Sequence, residues 1–157
     1  MKIMERLSNF LKKQNVKYEL IPHPETYTAQ ETAAVEHVSG KQLAKVVMLK
    51  ADGRNLMAVL PAASKLSIPK FKQLVGAKDV RLATEQEFKE LFPDCEVGAM
   101  PPFGDLYEVP FFVDMALADN PFIVFNAGTH RDTVRMRYRD YEKIAQPDLV
   151  EFKAEPV

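Results

Sequence analysis

The chain is poor in cysteine and tryptophan: its 157 residues include one cysteine, Cys95, and no tryptophan. A lone cysteine excludes an intramolecular disulfide, which is typical of a protein from a reducing compartment. No run approaches the ~18 apolar residues needed to span a bilayer, and the charged N-terminus lacks the pattern of a signal peptide. These absences predict a cytoplasmic protein that has no membrane partner.

The chain also lacks a strong excess of charge of either sign, since its formal net charge is −1. Proteins that coat long duplex nucleic acid are usually strongly basic. Near-neutrality therefore leaves two alternatives. Either the protein has no nucleic-acid partner, or it binds a nucleic acid locally at one end, and in neither case is DNA the expected partner. The sequence contains no paired His/Cys spacing for zinc, no P-loop and no Gly-x-Ser-x-Gly elbow, so these motifs indicate neither a metal nor another cofactor.

Hydrophobic residues make up 46% of the chain and charged residues 27%, which is typical of a globular domain. Apolar periodicity and turn residues predict interspersed helices and strands. The predicted helices cover residues 2–13, 29–37, 69–75, 85–91 and 140–145, and the predicted strands cover 16–21, 44–50, 56–60, 80–82, 109–113, 122–125 and 132–138. The Asp52-Gly53 pair predicts a hairpin between two central strands, and only the last few residues look loose. The absence of a regular βαβ rhythm favours an α+β fold with a largely antiparallel or mixed sheet.

Lys45 is an unusual residue for its position, because it opens an otherwise apolar strand. Alternation puts it on the same face as Val47 and Leu49. A buried ammonium group is costly unless it is paired. Lys45 therefore either serves a functional site or is a strand-end lysine whose amine reaches water.

Two glycine-containing segments are candidates for the walls of a site. Residues 98–104 contain two adjacent prolines, which make this segment either a rigid wall or a stiff connection. Residues 125–130 end a buried strand in small residues, whose backbone N–H groups could bind an oxyanion or a phosphate. Within that turn Ala127 and Gly128 leave room for a substrate, and His130 could act as a base, donate a hydrogen bond or cap the turn.

A local basic stripe is predicted near the C-terminus. Alternation on the last predicted strand places Arg131, Arg135, Arg137 and Arg139 on one face. The stripe could hold phosphates, or it could be a solvated sheet face that nearby acidic residues balance.

The ordered set of motifs resembles the YbaK/proline-tRNA-editing family of aminoacyl-tRNA deacylases. The segments that carry the resemblance are His23-Pro24, Thr28 to Glu31, Ala44 to Val47, Met57 to Pro61, Gly98 to Gly104 and Ala127 to His130. The resemblance implies a single YbaK-like domain over residues 1–157. It also implies a mixed, mostly antiparallel, barrel-like sheet flanked by helices.

The resemblance further implies the site and the reaction. Lys45 and His130 are the expected catalytic residues, Lys45 as a cation that positions the substrate and His130 as a wall or hydrogen-bond donor. The expected substrate-binding residues are Val46, Gly98, Pro102, Ala127, Gly128 and Thr129. The implied reaction is hydrolysis of the ester between a mischarged amino acid and the terminal ribose of tRNA, without a metal or another cofactor.

The expected substrate is alanine on tRNA(Pro), with cysteine or serine as variants. An aminoacyl ester is already activated, so positioning and oxyanion stabilisation can supply much of the catalysis. A pocket closed by small side chains would admit these amino acids and exclude proline. The expected partners are the 3′ acceptor end of mischarged tRNA and prolyl-tRNA synthetase. The alternative is a non-catalytic module of the same fold that binds tRNA or a synthetase.

Overall fold

The helices and strands of the computed structural model, which describes residues 3–155, follow the apolar pattern of the sequence. The helices are α1 (Ile3–Lys13), α2 (Ala29–Glu36), α3 (Ile68–Val75), α4 (Glu85–Phe88) and α5 (Tyr138–Ala145). The strands are β1 (Tyr18–Pro22), β2 (Leu43–Ala51), β3 (Arg54–Pro61), β4 (Val80–Leu82), β5 (Phe111–Asp114), β6 (Phe122–Thr129), β7 (Asp132–Arg137) and β8 (Asp148–Val150). Short 3₁₀ turns cover Lys89–Leu91, Gly104–Tyr107 and Met115–Asp119.

Local signals in the sequence account for several of these boundaries. The Thr28 side chain accepts a hydrogen bond from the Glu31 N–H at 3.1 Å and so caps the start of α2, as predicted. Gly76 ends α3 in the left-handed region, at φ +68°. Asp52 and Gly53, at φ +49° and +81°, form the predicted hairpin between β2 and β3.

The strands form one mixed sheet in the order β1-β7-β6-β2-β3-β5-β8, and β4 pairs with β2. The α+β class and the mixed sheet are confirmed. Four pairings are antiparallel and three are parallel. The expected barrel-like closure is wrong for residues 3–155, because β1 and β8 lie at opposite ends of the pairing order and the sheet stays open.

Apolar side chains cover both faces of the central strands. Met48, Val59 and Phe125 face a large core that also receives residues of α1 and α5. The alternate residues face the other side, where Leu49 and Leu60 pack with Phe71 of α3. We call these the α1/α5 face and the α2/α3 face. Burial on both faces confirms that β2 and β3 are central strands.

The C-terminal segment is ordered as far as residue 155, contrary to its loose appearance in the sequence. β8 pairs in parallel with β5, and the Phe152 side chain is fully buried. The buried carboxylate of Asp114 accepts the backbone N–H groups of Phe152 and Lys153, each at 2.8 Å. Residues 156–157, like residues 1–2 at the start of the first predicted helix, lie outside the described part of the chain.

The predicted stripe of four arginines is wrong in part. β7 ends at Arg137 and α5 begins at the next residue, so Arg139 lies on a helix and does not follow strand alternation. Arg131 precedes the strand and pairs with Glu25 at 3.4 Å. Only Arg135 and Arg137 share one face of β7.

No helix within residues 3–155 combines the length and the apolar character needed to cross a membrane.

Candidate functional site

An opening in the sheet lies between β2 and β6. Their parallel pairing ends at Ala44 and Phe125. The next backbone hydrogen bond on this edge of β2 is at Met48, whose carbonyl accepts the N–H of Ala83 at 2.9 Å. By alternation with Ala44 and Met48, the backbone N–H and C=O of Val46 point into this opening. Lys45 therefore stands at the point where the two strands separate.

Beyond the end of its pairing with β2, the edge of β6 is hydrogen-bonded to the loop at residues 96–99. The N–H of Gly128 donates to the carbonyl of Ala99 at 2.9 Å, and the N–H of Glu96 donates to the carbonyl of Gly128 at 2.8 Å. Gly98 and Gly128 have φ values of +87° and +95°, which favour glycine. A Cβ on Gly98 would lie 3.6 Å from Cε1 of His130. The structure thus brings the two predicted turns into direct contact.

His130 fastens this loop to the turn. Its backbone N–H donates to Oε1 of Glu96 at 2.8 Å, and its Nε2 lies 2.9 Å from the carbonyl oxygen of Val97. A carbonyl oxygen can only accept, so Nε2 carries the proton and Nδ1 is the ring nitrogen that remains for a substrate. The ring also packs on Tyr27, with ring centroids 4.9 Å apart.

Lys45 is half-buried and has little to bind within the protein. Its Nζ donates one long hydrogen bond, 3.4 Å, to the carbonyl of Ala62. No salt bridge involves it among the residues that the structure describes. Burial, and then the nearby charge of Lys65, lower the pKa of the Lys45 ammonium below its ordinary value. An ammonium has three N–H donors, so Lys45 keeps donors for an anionic or carbonyl oxygen.

Four other predicted site residues are engaged in the fold. Ala127 is fully buried in the core of the α1/α5 face, and Val46 packs against the same core, so both side chains point away from Lys45. The carbonyl of buried Pro102 accepts the hydroxyl of Tyr141 at 2.6 Å. The hydroxyl of Thr129 donates to Asp132 at 2.7 Å. The predicted walls are therefore held from behind by the core.

A buried polar cluster lies under α2, on the same face as Lys45. The Thr133 hydroxyl donates to Oε1 of Glu36 at 2.6 Å, and Nε2 of His23 lies 4.0 Å from Oε2 of the same carboxylate. The His23 and Glu36 side chains are each 3% exposed. Burial raises the pKa of Glu36, while the Thr133 hydrogen bond and His23 oppose that rise. Thr133 pairs with Asn126 of β6, which places this cluster beside the opening.

Sequence reasoning missed several residues of this region. Glu96 and Tyr27 hold His130 from two sides, yet they are 34 and 103 positions away from it in the chain. The only available signal was the Glu96-Val97-Gly98 order, in which a carboxylate precedes a turn glycine. Asn126 was visible in the predicted turn, but its pairing with Thr133 depends on the β6–β7 register.

The lone cysteine is not arranged as a nucleophile. Cys95 Sγ lies 3.1 Å from the hydroxyl oxygen of Tyr107, which in turn donates to Asp94 at 2.8 Å. Burial raises the pKa of the Cys95 thiol to about 12, so the thiol stays protonated at neutral pH. Asp94 is also paired with Arg6 of α1 at 2.7 Å, which makes this network a structural one.

Comparison with known proteins finds similar sequences over most of the chain. A family model described as an aminoacyl-tRNA editing domain matches residues 23–144. The chain is 27% identical over 154 residues to the multifunctional Ser/Thr-tRNA deacylase ProXp-y of Escherichia coli K12, and the match covers 95% of this chain and 92% of that protein. It is 25% identical over 140 residues to the proline–tRNA ligase of Bacillus mycoides, and there the match covers 83% of this chain and 25% of the ligase.

The fold is also found among solved structures. The crystal structure of hypothetical protein APE2540 matches with a TM-score of 0.85 at 22% identity, and the match covers 95% of this chain and 99% of that one. At this level of identity the match shows a shared fold.

Proposed function

Since this chain belongs to the aminoacyl-tRNA editing domain family, we propose that it hydrolyses the ester between a wrongly attached small amino acid and the terminal ribose of tRNA. We propose further that it acts as a free-standing enzyme in the cytoplasm, on alanine, cysteine or serine carried by tRNA(Pro). The acceptor end of that tRNA would enter the opening between β2 and β6, and prolyl-tRNA synthetase would release the mischarged tRNA.

The observation that carries this proposal is the state of Lys45. A half-buried ammonium that has one long hydrogen bond and no carboxylate partner among the described residues is costly for folding. Its cost is offset when an anionic group of a substrate binds beside it. In the proposed complex the Lys45 ammonium orients the reacting ester or the terminal phosphate at the mouth of the opening.

The remaining chemistry needs positioned donors and water. The Val46 backbone N–H is outside the ladder with β6, and we propose that it donates to the carbonyl oxygen of the ester as negative charge develops there. Removal of one such donor typically costs about 10²–10³ in rate. His130 positions the loop at residues 96–99 through its backbone N–H and its Nε2. In this proposal the nucleophile is water, and no covalent intermediate forms on the protein.

The name of the Escherichia coli relative widens the range of amino acids to be tested. That protein is named a Ser/Thr-tRNA deacylase. The test is deacylation of Ala-, Cys- and Ser-tRNA(Pro) side by side with Ser-tRNA(Ser) and Thr-tRNA(Thr). Correctly charged Pro-tRNA(Pro) is the control substrate and should stay intact. Binding of tRNA without deacylation of any of these substrates would contradict the proposal and support a non-catalytic module.

Lys45→Met is the variant that tests the site within that assay. We expect kcat/KM for the preferred substrate to fall about 10²–10³-fold, as it does when a preorganised charge-stabilising group is removed. The matched control is Lys41→Met, because Lys41 is an exposed lysine just before the same strand. Full activity in Lys45→Met, or an equal loss in Lys41→Met, would remove Lys45 from the mechanism.

A further inference from the structure

Two arginines that the proposed reaction does not use line a groove on the surface. The groove has a volume of about 500 Å³ and lies between residues 118–122 and the junction of β7 and α5, where Arg137 and Arg139 line it. Arg137 also lines two adjoining grooves, both of which include Lys17, and each of which has one acid, Glu19 in one and Asp140 in the other. Asp119 is the one acid among the described residues of the first groove. The junction of β7 and α5 is therefore a locally basic surface on a chain of net charge −1.

Arg137 and Arg139 have no evident role in folding. Both side chains are exposed, and neither takes part in a salt bridge within residues 3–155. Arg135 differs, because it lies 3.9 Å from Glu19 and its guanidinium stacks 4.2 Å from the ring centroid of Phe122. Arg137 and Arg139 are thus the arginines of this surface whose donors remain for a ligand.

The wall of the groove that Arg137 forms is on the same side of the sheet as Lys45, while Arg139 lies at the start of α5 at the end of the sheet. Arg137 pairs with Phe122 at one end of β6, and Thr133 pairs with Asn126 near the other end. Facing residues of paired strands project to one face, and the odd residues of β7 project with Lys45 to the α2/α3 face. The four residues from Phe122 to Asn126 span about 13 Å at the usual rise of a strand.

We propose that Arg137 and Arg139 bind backbone phosphates at the start of the tRNA acceptor stem while the esterified 3′ end lies beside Lys45. This inference rests on the proposed function. The 3′ end of tRNA is a short single strand that leads into the paired stem. Phosphates of the stem can therefore reach Arg137, whose strand partner Phe122 lies about 13 Å along β6 from Asn126 at the opening. Guanidinium groups bind phosphate oxygens with two parallel hydrogen bonds. Such contacts set the orientation of the RNA and carry no sequence information.

The first test measures binding without catalysis. The affinity of uncharged tRNA(Pro) is measured between 50 and 200 mM salt for the wild type and for Arg137→Gln/Arg139→Gln. Each phosphate contact contributes a slope of about −0.7 to −0.9 in a plot of log K against log salt, so the double variant should lose about 1.5 from the slope. We expect about tenfold weaker binding at low salt and an unchanged Tm, because both side chains are exposed.

The matched control is Arg54→Gln/Lys72→Gln, which removes the same charge from exposed positions on the β2–β3 hairpin and on α3. Its slope should fall by much less than that of the groove variant. Equal slopes for the groove variant and the wild type, or equal losses in the two double variants, would overturn the proposal.

The second test separates this inference from the proposed function. Deacylation of full-length mischarged tRNA is compared with deacylation of a CCA trinucleotide that carries the same amino acid. The groove variant should raise KM about tenfold for the tRNA, leave kcat unchanged and leave the trinucleotide unaffected. An equal loss on both substrates would overturn the groove as a stem-binding surface. A wild type that hydrolyses neither substrate would overturn the proposed function, while the salt slopes would still decide the groove.

Discussion

The α1/α5 face and the α2/α3 face of the sheet differ in what they hold at the opening between β2 and β6. On the α1/α5 face, the Phe103 ring meets the rings of Phe10, Phe125 and Tyr141 edge-on, at centroid distances of 5.6, 5.5 and 5.2 Å. On the α2/α3 face, Lys45 is half-buried and has no carboxylate partner within residues 3–155. One side of the same two strands is closed by aromatic packing, and the other holds an ammonium group with a single long hydrogen bond.

This difference separates stability from activity. Aromatic packing on the α1/α5 face holds the loop that carries Gly98 and Pro102, while the polar groups of the α2/α3 face lower stability and can bind a substrate. Substitutions on the first face should therefore change stability far more than the chemistry of the folded protein. Removal of the Lys45 ammonium on the second face should do the reverse.

The largest effect is expected for Phe103→Ala on the α1/α5 face. Loss of a fully buried phenylalanine removes its transfer free energy and leaves a cavity, which together cost about 3–5 kcal/mol of unfolding free energy. Urea denaturation measures this loss. Tyr27→Ala is the control, because Tyr27 is an aromatic residue that is 68% exposed and should cost far less. Similar losses in the two variants would contradict the closed character of this face.

A smaller effect, on activity, is expected for His130→Ala. The variant loses the hydrogen bond from Nε2 to the Val97 carbonyl. A hydrogen bond worth about 1.4 kcal/mol corresponds to about a tenfold fall in kcat/KM if it only holds the loop in place. The pH profile of kcat/KM should keep its shape, because a positioning residue contributes no titration of its own.

Glu96→Ala gives the comparison for this prediction, since Glu96 holds the same turn through the His130 backbone. If both residues act through the loop at residues 96–99, the two losses should not add in the double variant. Loss of an acidic limb from the pH profile of His130→Ala alone would instead identify the imidazole as a general base.

Tyr141→Phe should cost about 1 kcal/mol of unfolding free energy, because the buried Pro102 carbonyl loses its hydrogen-bond donor. Deacylation by the folded variant should stay within about twofold of the wild type, a change of about 0.4 kcal/mol in the barrier. Chemical denaturation and initial rates of the same preparation check both values. A large fall in rate without a fall in stability would show that the α1/α5 face acts directly on the chemistry.

The smallest effect is expected for Glu36→Gln on the α2/α3 face. Burial raises the pKa of Glu36 above its ordinary value of 4.5, so ionisation of the carboxyl is less favourable in the folded than in the unfolded protein. Its contribution to stability is thus present below pH 4.5 and is lost as the pH rises through the raised pKa. Glutamine keeps an acceptor for Thr133 without the charge.

The Tm of Glu36→Gln should therefore lie slightly above that of the wild type at pH 7, and the difference should disappear as the pH falls below 4.5. Glu90→Gln is the control, because Glu90 is exposed. A lower Tm for Glu36→Gln at pH 7 would mean that a charged pair with His23 stabilises the fold, and the contrast between the two faces would then be weaker.

Local chemistry made most of the fold readable from the sequence. Thr28 and Gly76 bound their helices, and Asp52-Gly53 closes its hairpin, because each signal acts over a few neighbouring residues. β8 was not predicted, because three residues that pair in parallel with distant β5 leave no periodic signal. The open sheet was equally invisible, since closure depends on which strands meet over long range.

The candidate site was readable only in part. Lys45 stood out because a charge interrupts an apolar strand, and the two glycine turns stood out by composition. That the turns touch follows from the bonds between Gly128 and residues 96–99, which no local pattern encodes. The alternation that placed Lys45 on a face also turns Val46 and Ala127 towards the core, and this consequence was not drawn from the sequence.

The joint between β2 and β6 has a mechanical consequence. Within residues 3–155, two ladder pairs join the unit of β1, β7 and β6 to the unit of β2, β3, β5 and β8, whereas β2 and β3 share eight. The two units otherwise meet through the loop at residues 96–99 and through the core of the α1/α5 face. A small shear between the units would break few hydrogen bonds and yet change the width of the opening. Under the proposed function, substitutions at the joint of Ala44 and Phe125 would therefore change the size of amino acid that the opening admits.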